Sequence, residues 1–187
     1  LRVMDMERLM DAIRAHFCVA DDAEITLESN PGTLDFEKLA GYRRAGINRL
    51  SMGLQSACDK ELAMLGRIHN FDTFVQNYKQ ARRAGFENIN VDLMSALPGQ
   101  TVESWEQTLM KAAELAPEHL SAYSLIIEEG TPFWSWYGED ANQTLRPKEM
   151  LPLPSEEDER RMYARTREIL EQYGYHRYEI SNYAKDG

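Results

Sequence analysis

Asn88-Ile89-Asn90-Val91-Asp92-Leu93-Met94 reads as an apolar strand interrupted by a carboxylate. A Leu97-Pro98-Gly99-Gln100 turn follows, then a helical pattern over Val102–Leu115 with Trp105, Leu109, Ala112 and Ala113 on one side. Three other stretches repeat this arrangement of an apolar run, a polar residue at its end and a helix. Ile25-Thr26-Leu27 ends at Glu28, Arg49–Leu54 ends at Gln55, and Leu120–Tyr123 ends near Ser124 and Glu128. In a parallel β/α architecture the carboxyl ends of all strands open on one face, where ligands bind. The four polar ends are therefore expected to converge on one site.

Outward from this core, Met4–Phe17 carries Met6, Leu9, Met10, Ile13 and Phe17 at helical spacing. A strand over Glu24–Glu28 is stopped by Ser29-Asn30-Pro31-Gly32, and Thr33 or Asp35 caps a helix to about Arg44 that Gly46 closes. The strand Asn48–Leu54 precedes helices over about Asp59–Leu65 and Phe71–Ala84, and a further strand runs from His119 to Leu125. From Glu129 the pattern breaks into a long loop with Trp134, Trp136 and Tyr137, punctuated by prolines through Pro154. Ser155 and Asp158, at capping-box spacing, start a helix to about Tyr173, and a short strand over Arg177–Ile180 ends in Ser181-Asn182-Tyr183.

Strands alternating with helices predict βαβ units and a parallel sheet with outer helices. The strands are read as lacking strict polar alternation, as expected if helices cover one side and a packed interior fills the other. The fold class is α/β, a partial (β/α) barrel, because polar residues spread over successive strand ends suit a barrel mouth better than a single switch point. One domain is expected over 1–187: a partial barrel to about 130, then a loop and a helix–strand extension over about 131–187.

The 187 residues are 43% hydrophobic with a formal charge of −10, which argues against broad nucleic-acid affinity. No run is long and apolar enough to span a bilayer, and no targeting peptide is visible. Cys18 and Cys58 lack ligand spacing, as do His16, His69, His119 and His176, so no metal cluster is expected from these residues alone. The cysteines read as incidental thiols of a reducing, cytoplasmic setting. Opening on Leu1, the chain reads as a piece of a longer protein.

A buried Asp92 is costly unless paired or bound to a ligand, and a structural ion pair is the alternative to a ligand role. Glu28 can accept from an ammonium or hydroxyls, or be a solvated loop carboxylate. Gln55 offers donors and acceptors beside Gly53, or simply caps the next turn. Arg67 can clamp a carboxylate or lie on the surface. The aromatic loop residues read as anchors rather than as a ligand plate, and Glu156–Glu159 as a dipole-favoured first helical turn.

Several stretches in order, Glu24–Thr33, Asn48–Ser56, Leu65–His69, Asp92–Thr101 and Glu118–Leu125, closely resemble the radical SAM family of oxygen-independent coproporphyrinogen III oxidases and their HemW relatives. Leu65–His69 and Glu179–Lys185 look more like the HemW heme-chaperone branch. The resemblance implies a partial (β/α)6 barrel of the radical SAM type holding S-adenosylmethionine beside a [4Fe-4S] cluster. Carried over, Glu28 meets the methionine moiety, Gln55 and Asp92 lie around the ribose, Arg67 holds the carboxylate, and Ile126 touches the adenine region. Heme or porphyrin is then a further ligand and a respiratory heme acceptor the partner, with membrane contact only through that partner.

The family's C-x-x-x-C-x-x-C loop and Gly-rich strand end are expected before Leu1, so the N-terminal strands are missing and the first strand here becomes an exposed edge. The C-terminal heme-handling segment is likewise expected beyond this piece. Ser95-Ala96 stands where relatives more often have an aromatic or small residue and then glycine. A HemW-type chaperone, a coproporphyrinogen III oxidase and an unrelated metal-free barrel hydrolase using Glu28 and Asp92 are the competing readings, with the first favoured. The isolated piece is expected to be inactive as an enzyme.

Overall fold

Strand β2 (Arg49–Gln55) sends Leu50, Met52 and Leu54 to one side of the sheet, all at 0% exposure, and Ser51, Gly53 and Gln55 to the other. Strand β3 (Asn88–Ser95) does the same with Ile89, Val91 and Leu93 against Asn90 and Asp92, and β4 (His119–Ser124) with Leu120 against His119, Ser121 and Tyr123. Strict alternation is therefore present, contrary to the sequence reading. One face is a dry core under the helices, and the other is polar rather than a packed interior.

The computed structural model describes residues 1–186 apart from Asp140, Gln143 and Leu145, three positions of the expected long loop that lie outside the described residues. The sheet runs in the order β1 (Thr26–Ser29), β2, β3, β4, β6 (Asn182–Lys185), β5 (Tyr175–Arg177). β1, β2, β3 and β4 are parallel and nearly in sequence order, as βαβ units require. Helices α1 (Val3–His16), α2 (Phe36–Ala45), α3 (Asp59–Met64), α4 (Phe71–Arg83) and α5 (Val102–Glu114) accompany them. Asp35 accepts from the Lys38 backbone at the start of α2, and Gly46 ends that helix at φ 109°, a left-handed cap suited to glycine.

Three departures from the sequence reading have plain causes. α1 buries Met6 and Met10 but leaves Leu9 and Phe17 exposed, because it packs on α2 rather than on the sheet. Its Val3 lies where a side chain on Gly41 would stand, 2.5 Å from an ideal Cβ there, so the close approach needs glycine. The aromatic loop contains helix α6 (Pro132–Tyr137), capped by Thr131 and anchored by Tyr137, whose hydroxyl donates to the Leu151 carbonyl at 2.6 Å. Finally, the last strand is two strands, β5 (Tyr175–Arg177) and β6 (Asn182–Lys185), and residues 178–181 form their connection.

β6 pairs antiparallel with β4, and β5 with β6. Helix α7 (Glu156–Gln172) starts at Ser155, whose hydroxyl oxygen accepts from the Asp158 backbone, and it packs on α5. There Trp105 is 1% exposed and its indole donates to Thr166 Oγ1 at 2.9 Å.

Glu61 of α3 is a buried carboxylate that sequence reading passed over. It accepts from Ser56 at 2.6 Å, Gln100 Nε2 at 2.8 Å and Ser104 at 2.5 Å, tying α3 to the turn after β3 and to α5. This contact gives the Leu97-Pro98-Gly99-Gln100 turn its structural meaning. Glu61→Ala leaves the buried Ser56 and Gln100 donors and the half-buried Ser104 without this acceptor and should lower unfolding free energy by about 3 kcal/mol, measured by urea titration. Glu61→Gln, which keeps one carbonyl oxygen, should cost less.

Candidate functional site

The polar face of the sheet opens into a cleft of about 770 Å³ lined by Glu28, Ser29 and Asn30 from β1 and its turn, Ser51, Gly53 and Gln55 from β2, and Asp92 from β3. Arg67, Ser121, Tyr123, Glu179, Ser181 and Asn182 complete the lining. Glu28, Gln55, Arg67 and Asp92, expected to meet, do so. Ile126 does not line the cleft; it is 77% exposed beyond the end of β4. β4 contributes Ser121 and Tyr123 in place of the expected Ser124 and Glu128, because its cleft-facing register is that of His119, two and four residues on.

Asp92 sits within β3 rather than at its end, beside Gly53 of β2 and Ser121 of β4. Among the described residues Asp92 makes no ion pair, the alternative to a ligand role. Its carboxylate instead accepts from neutral donors, Ser51 at 2.9 Å and Asn90 Nδ2 at 2.7 Å. Burial pushes its pKa above the usual aspartate value. The Ser51 and Asn90 hydrogen bonds oppose that shift, and the nearby negative charge of Glu28 adds to it.

Gln55 is placed by a bulge. Between Gly53 and Gln55 the register against β3 slips, and Gln55 takes φ 68°, a left-handed conformation unusual for a residue with a side chain. The side chain then folds over Gly53, with Nε2 only 2.8 Å from where a Cβ on that glycine would lie. Tyr123 donates to Gln55 Oε1 at 3.2 Å, which leaves the amide N–H groups to face a ligand. Burial, with the Asp92 charge behind it, pushes the Tyr123 phenol up, so it remains a donor at neutral pH. Arg67 donates to Asn30 Oδ1 at 2.9 Å and is held at the cleft from a loop.

Sequence reading missed Ser51, Asn90, Ser121 and Tyr123. Their signal was the alternation itself: Asn90 stands two residues from Asp92 and Ser51 four from Gln55, each on the same face of its strand, while Ser121 and Tyr123 share the face of His119. Glu179 and Asn182 belong to a motif noted only for its resemblance. Three carboxylates, Glu28, Asp92 and Glu179, face one guanidinium, Arg67, so the cleft suits a ligand with a net positive region and one carboxylate.

A model of the Radical SAM superfamily matches residues 3–112. The chain belongs to the Radical SAM superfamily. Membership implies S-adenosylmethionine and a [4Fe-4S] cluster for the protein as a whole, and it sets aside the hydrolase reading. Among curated proteins the chain is 40% identical over 183 residues to heme chaperone HemW of Bacillus subtilis, covering 97% of this chain and 46% of that one. It is 40% identical over 182 residues to heme chaperone HemW of Escherichia coli, covering 97% and 45%. Among solved structures, coproporphyrinogen III oxidase (HemN) from E. coli, described as a radical SAM enzyme, matches with a TM-score of 0.83 at 29% identity. That match covers 99% of this chain and 40% of the other. The chain thus spans less than half the length of these relatives.

The raised pKa of Asp92 fixes a sign for pH dependence. A carboxyl whose folded pKa lies above its unfolded value, near 3.8, favours the folded state below that value. The advantage is lost as pH rises through the folded pKa. Asp92→Asn removes this titration, so its stability relative to wild type should increase as pH is raised from below 3.8 towards neutrality. Urea unfolding of both proteins across that range should show the difference growing, and a constant difference would contradict the assigned shift.

Proposed function

We propose that the cleft binds S-adenosylmethionine, and that the whole protein is a HemW-type radical SAM protein that binds heme and delivers it to a respiratory acceptor. The observation that carries the cofactor reading is the gathering of Glu28, Gln55, Arg67 and Asp92 on one cleft wall and rim. The donor set suits each part of that molecule. An ammonium needs a carboxylate such as Glu28, and a carboxylate needs a guanidinium such as Arg67. A ribose diol needs an acceptor and an amide such as Asp92 and Gln55. A sulfonium gains from a cleft with more carboxylates than cations. The assignment of Ile126 to the adenine region rests on the family resemblance alone, since this residue does not line the cleft.

Beside a reduced cluster, S-adenosylmethionine supplies one-electron radical chemistry. The cluster itself does not fit the residues here: among the described residues, no group of three or more His, Cys, Asp or Glu side chains could hold a metal ion. Its cysteine ligands are assigned to another part of the whole protein.

The heme-delivery reading rests on the relatives named heme chaperone, at higher identity than the oxidase structure. The oxidase reading is kept because that structure superimposes on nearly all of this chain. Among the described residues no helix is long and apolar enough to cross a membrane, so membrane contact is assigned to the partner. Full-length protein reconstituted anaerobically with iron and sulfide separates the two. A Soret band on heme addition, with transfer to an acceptor and no decarboxylation of coproporphyrinogen III, supports the chaperone. Product formation supports the oxidase, and absence of cluster absorbance removes both.

In that protein Arg67→Ala and Asp92→Ala should each weaken S-adenosylmethionine binding by about 1–3 kcal/mol, the cost of an unpartnered polar group. Gly53→Ala should act on the same ligand without unfolding, because its new methyl displaces only the flexible end of Gln55. Calorimetric titration of all three, beside Gln55→Ala, checks the residue assignments separately from the heme role. Unchanged affinity in every variant would withdraw them.

A further inference from the structure

Asn90 is 3% exposed and lies behind Asp92 and Ser51 of the cleft wall. Its Nδ2 is committed twice, donating to Ser51 at 2.8 Å and to Asp92 Oδ1 at 2.7 Å. Since an ionised carboxylate only accepts, the amide of Asn90 is fixed with Oδ1 pointing away from Asp92. Two groups lie within reach of that oxygen, Ser121 Oγ at 3.2 Å and His119 Nδ1. Ser121 has one hydroxyl proton and is closer, at 2.9 Å, to Asn182 Oδ1. That oxygen must also accept, because Asn182 Nδ2 donates to Glu179 at 2.6 Å. His119 Nδ1–H is thus the donor left to hold Asn90.

Because Asn90 Oδ1 can only accept, the neutral ring carries its proton on Nδ1 and leaves Nε2 as an acceptor. His119 Nε2 lies 2.6 Å from the hydroxyl of Tyr178, a 65%-exposed residue in the turn between β5 and β6. Burial, with the positive charge of Arg49 from β2, holds the His119 pKa below its usual value against the opposing charge of Glu24. A neutral ring accepts at Nε2 and donates at Nδ1, so every donor in the row Tyr178, His119, Asn90 points towards Asp92.

The geometry points to His119 as a positioning residue, acting through Asn90 to set the orientation of the Asp92 carboxylate for its ligand. Tyr178, in the turn that includes the Glu179-Ile180-Ser181-Asn182 motif, donates to Nε2, the nitrogen left to accept, and so holds the ring in place. For the identity of the ligand the inference rests on the S-adenosylmethionine reading of the cleft. Without the Nδ1 donor, Asn90 loses the contact that opposes an amide flip, and a flip would turn Oδ1 onto a carboxylate.

The test uses full-length, cluster-reconstituted protein and calorimetric titration with S-adenosylmethionine. His119→Phe should raise the Kd about fivefold to tenfold, the value of one buried hydrogen bond. His119→Asn, whose side-chain N–H can take the place of Nδ1–H, should restore it to within about twofold, and Tyr178→Phe should fall between. In an Asp92→Asn background, His119→Phe should add nothing, whereas a general packing role would leave the two losses additive.

Where Asp92→Asn itself weakens binding, His119→Phe within twofold of wild type, or full additivity with Asp92→Asn, overturns the inference. Should His119→Phe fail to fold, His119→Asp against His119→Asn decides, since Asp offers only acceptors; equal affinities overturn it.

A second readout does not depend on the cofactor. In cluster-free protein, carbon-13 NMR should show the Asp92 carboxyl protonating at higher pH in His119→Phe than in wild type or His119→Asn. If Asp92→Asn leaves S-adenosylmethionine binding intact while that shift is seen, the cofactor reading fails and the positioning role stands. No shift overturns the positioning role.

Discussion

The structure turns on the two-sidedness of its parallel strands. Leu50, Met52, Leu54, Ile89, Val91, Leu93 and Leu120 are removed from water completely on the helix side. Burial of that kind contributes roughly 1.5–3 kcal/mol per large side chain, which pins the register against slippage. Once register is fixed by the apolar face, the opposite face is fixed too. Ser51, Gly53, Gln55, Asn90, Asp92, His119, Ser121 and Tyr123 have no choice but to meet across β2, β3 and β4. Polar groups brought together out of bulk water must satisfy one another, and they do so in an ordered network rather than in ion pairs.

That network explains how a carboxylate can stand in the middle of a strand. Asp92 has both oxygens occupied by neutral donors, so its charge is solvated by the protein itself and remains available to the cleft. A cationic partner, had one been built in, would have cancelled that charge. Neutral donors also leave Arg67 as the one guanidinium lining the cleft among the described residues, tethered to Asn30 on the turn after β1. The backbone makes a matching concession at Gln55, whose left-handed φ and bulge turn its amide onto Gly53. Strain of this type, of order 1–3 kcal/mol, persists where surrounding packing over-determines it. Here the buried contacts of Leu54 and Ser56 on either side do so.

Much of this was legible in the residues. Apolar runs bounded by Pro-Gly turns and helix caps located the parallel strands and outer helices, because those signals are local. Asp35, Asn70, Thr101 and Ser155 each accept from the backbone at their helix starts, as short polar side chains before an apolar pattern should. Glu28, Gln55 and Asp92 could be picked because each is a polar end or intruder in an apolar run, whereas Arg67 stood out through the family resemblance of Leu65–His69. What escaped was non-local. The hairpin of β5 and β6 is defined by pairing with β4 across more than 50 residues of chain, and a three-residue strand has no periodicity to read. Glu61 looks like any helix-face glutamate until Ser56, Gln100 and Ser104 surround it. Ala96, noted as standing where relatives carry glycine, indeed adopts φ 59° at the end of β3, so the fold keeps the left-handed turn at some cost in strain.

The alternation was misread for an instructive reason. Val91-Asp92-Leu93-Met94 looks like an apolar run with one intruder when each residue is weighed alone. Read in steps of two, Asn88, Asn90 and Asp92 form a polar row, and Arg49, Ser51, Gly53 and Gln55 form another. A parallel strand covered on both sides by protein has no reason to carry such a row. A strand whose second side faces a ligand does, since a cleft that must hold charge and hydroxyls cannot be filled with leucine. The row is therefore the trace of the cleft in the sequence. It includes His119 and Asn90, which bring the β5–β6 turn to Asp92 across the same face.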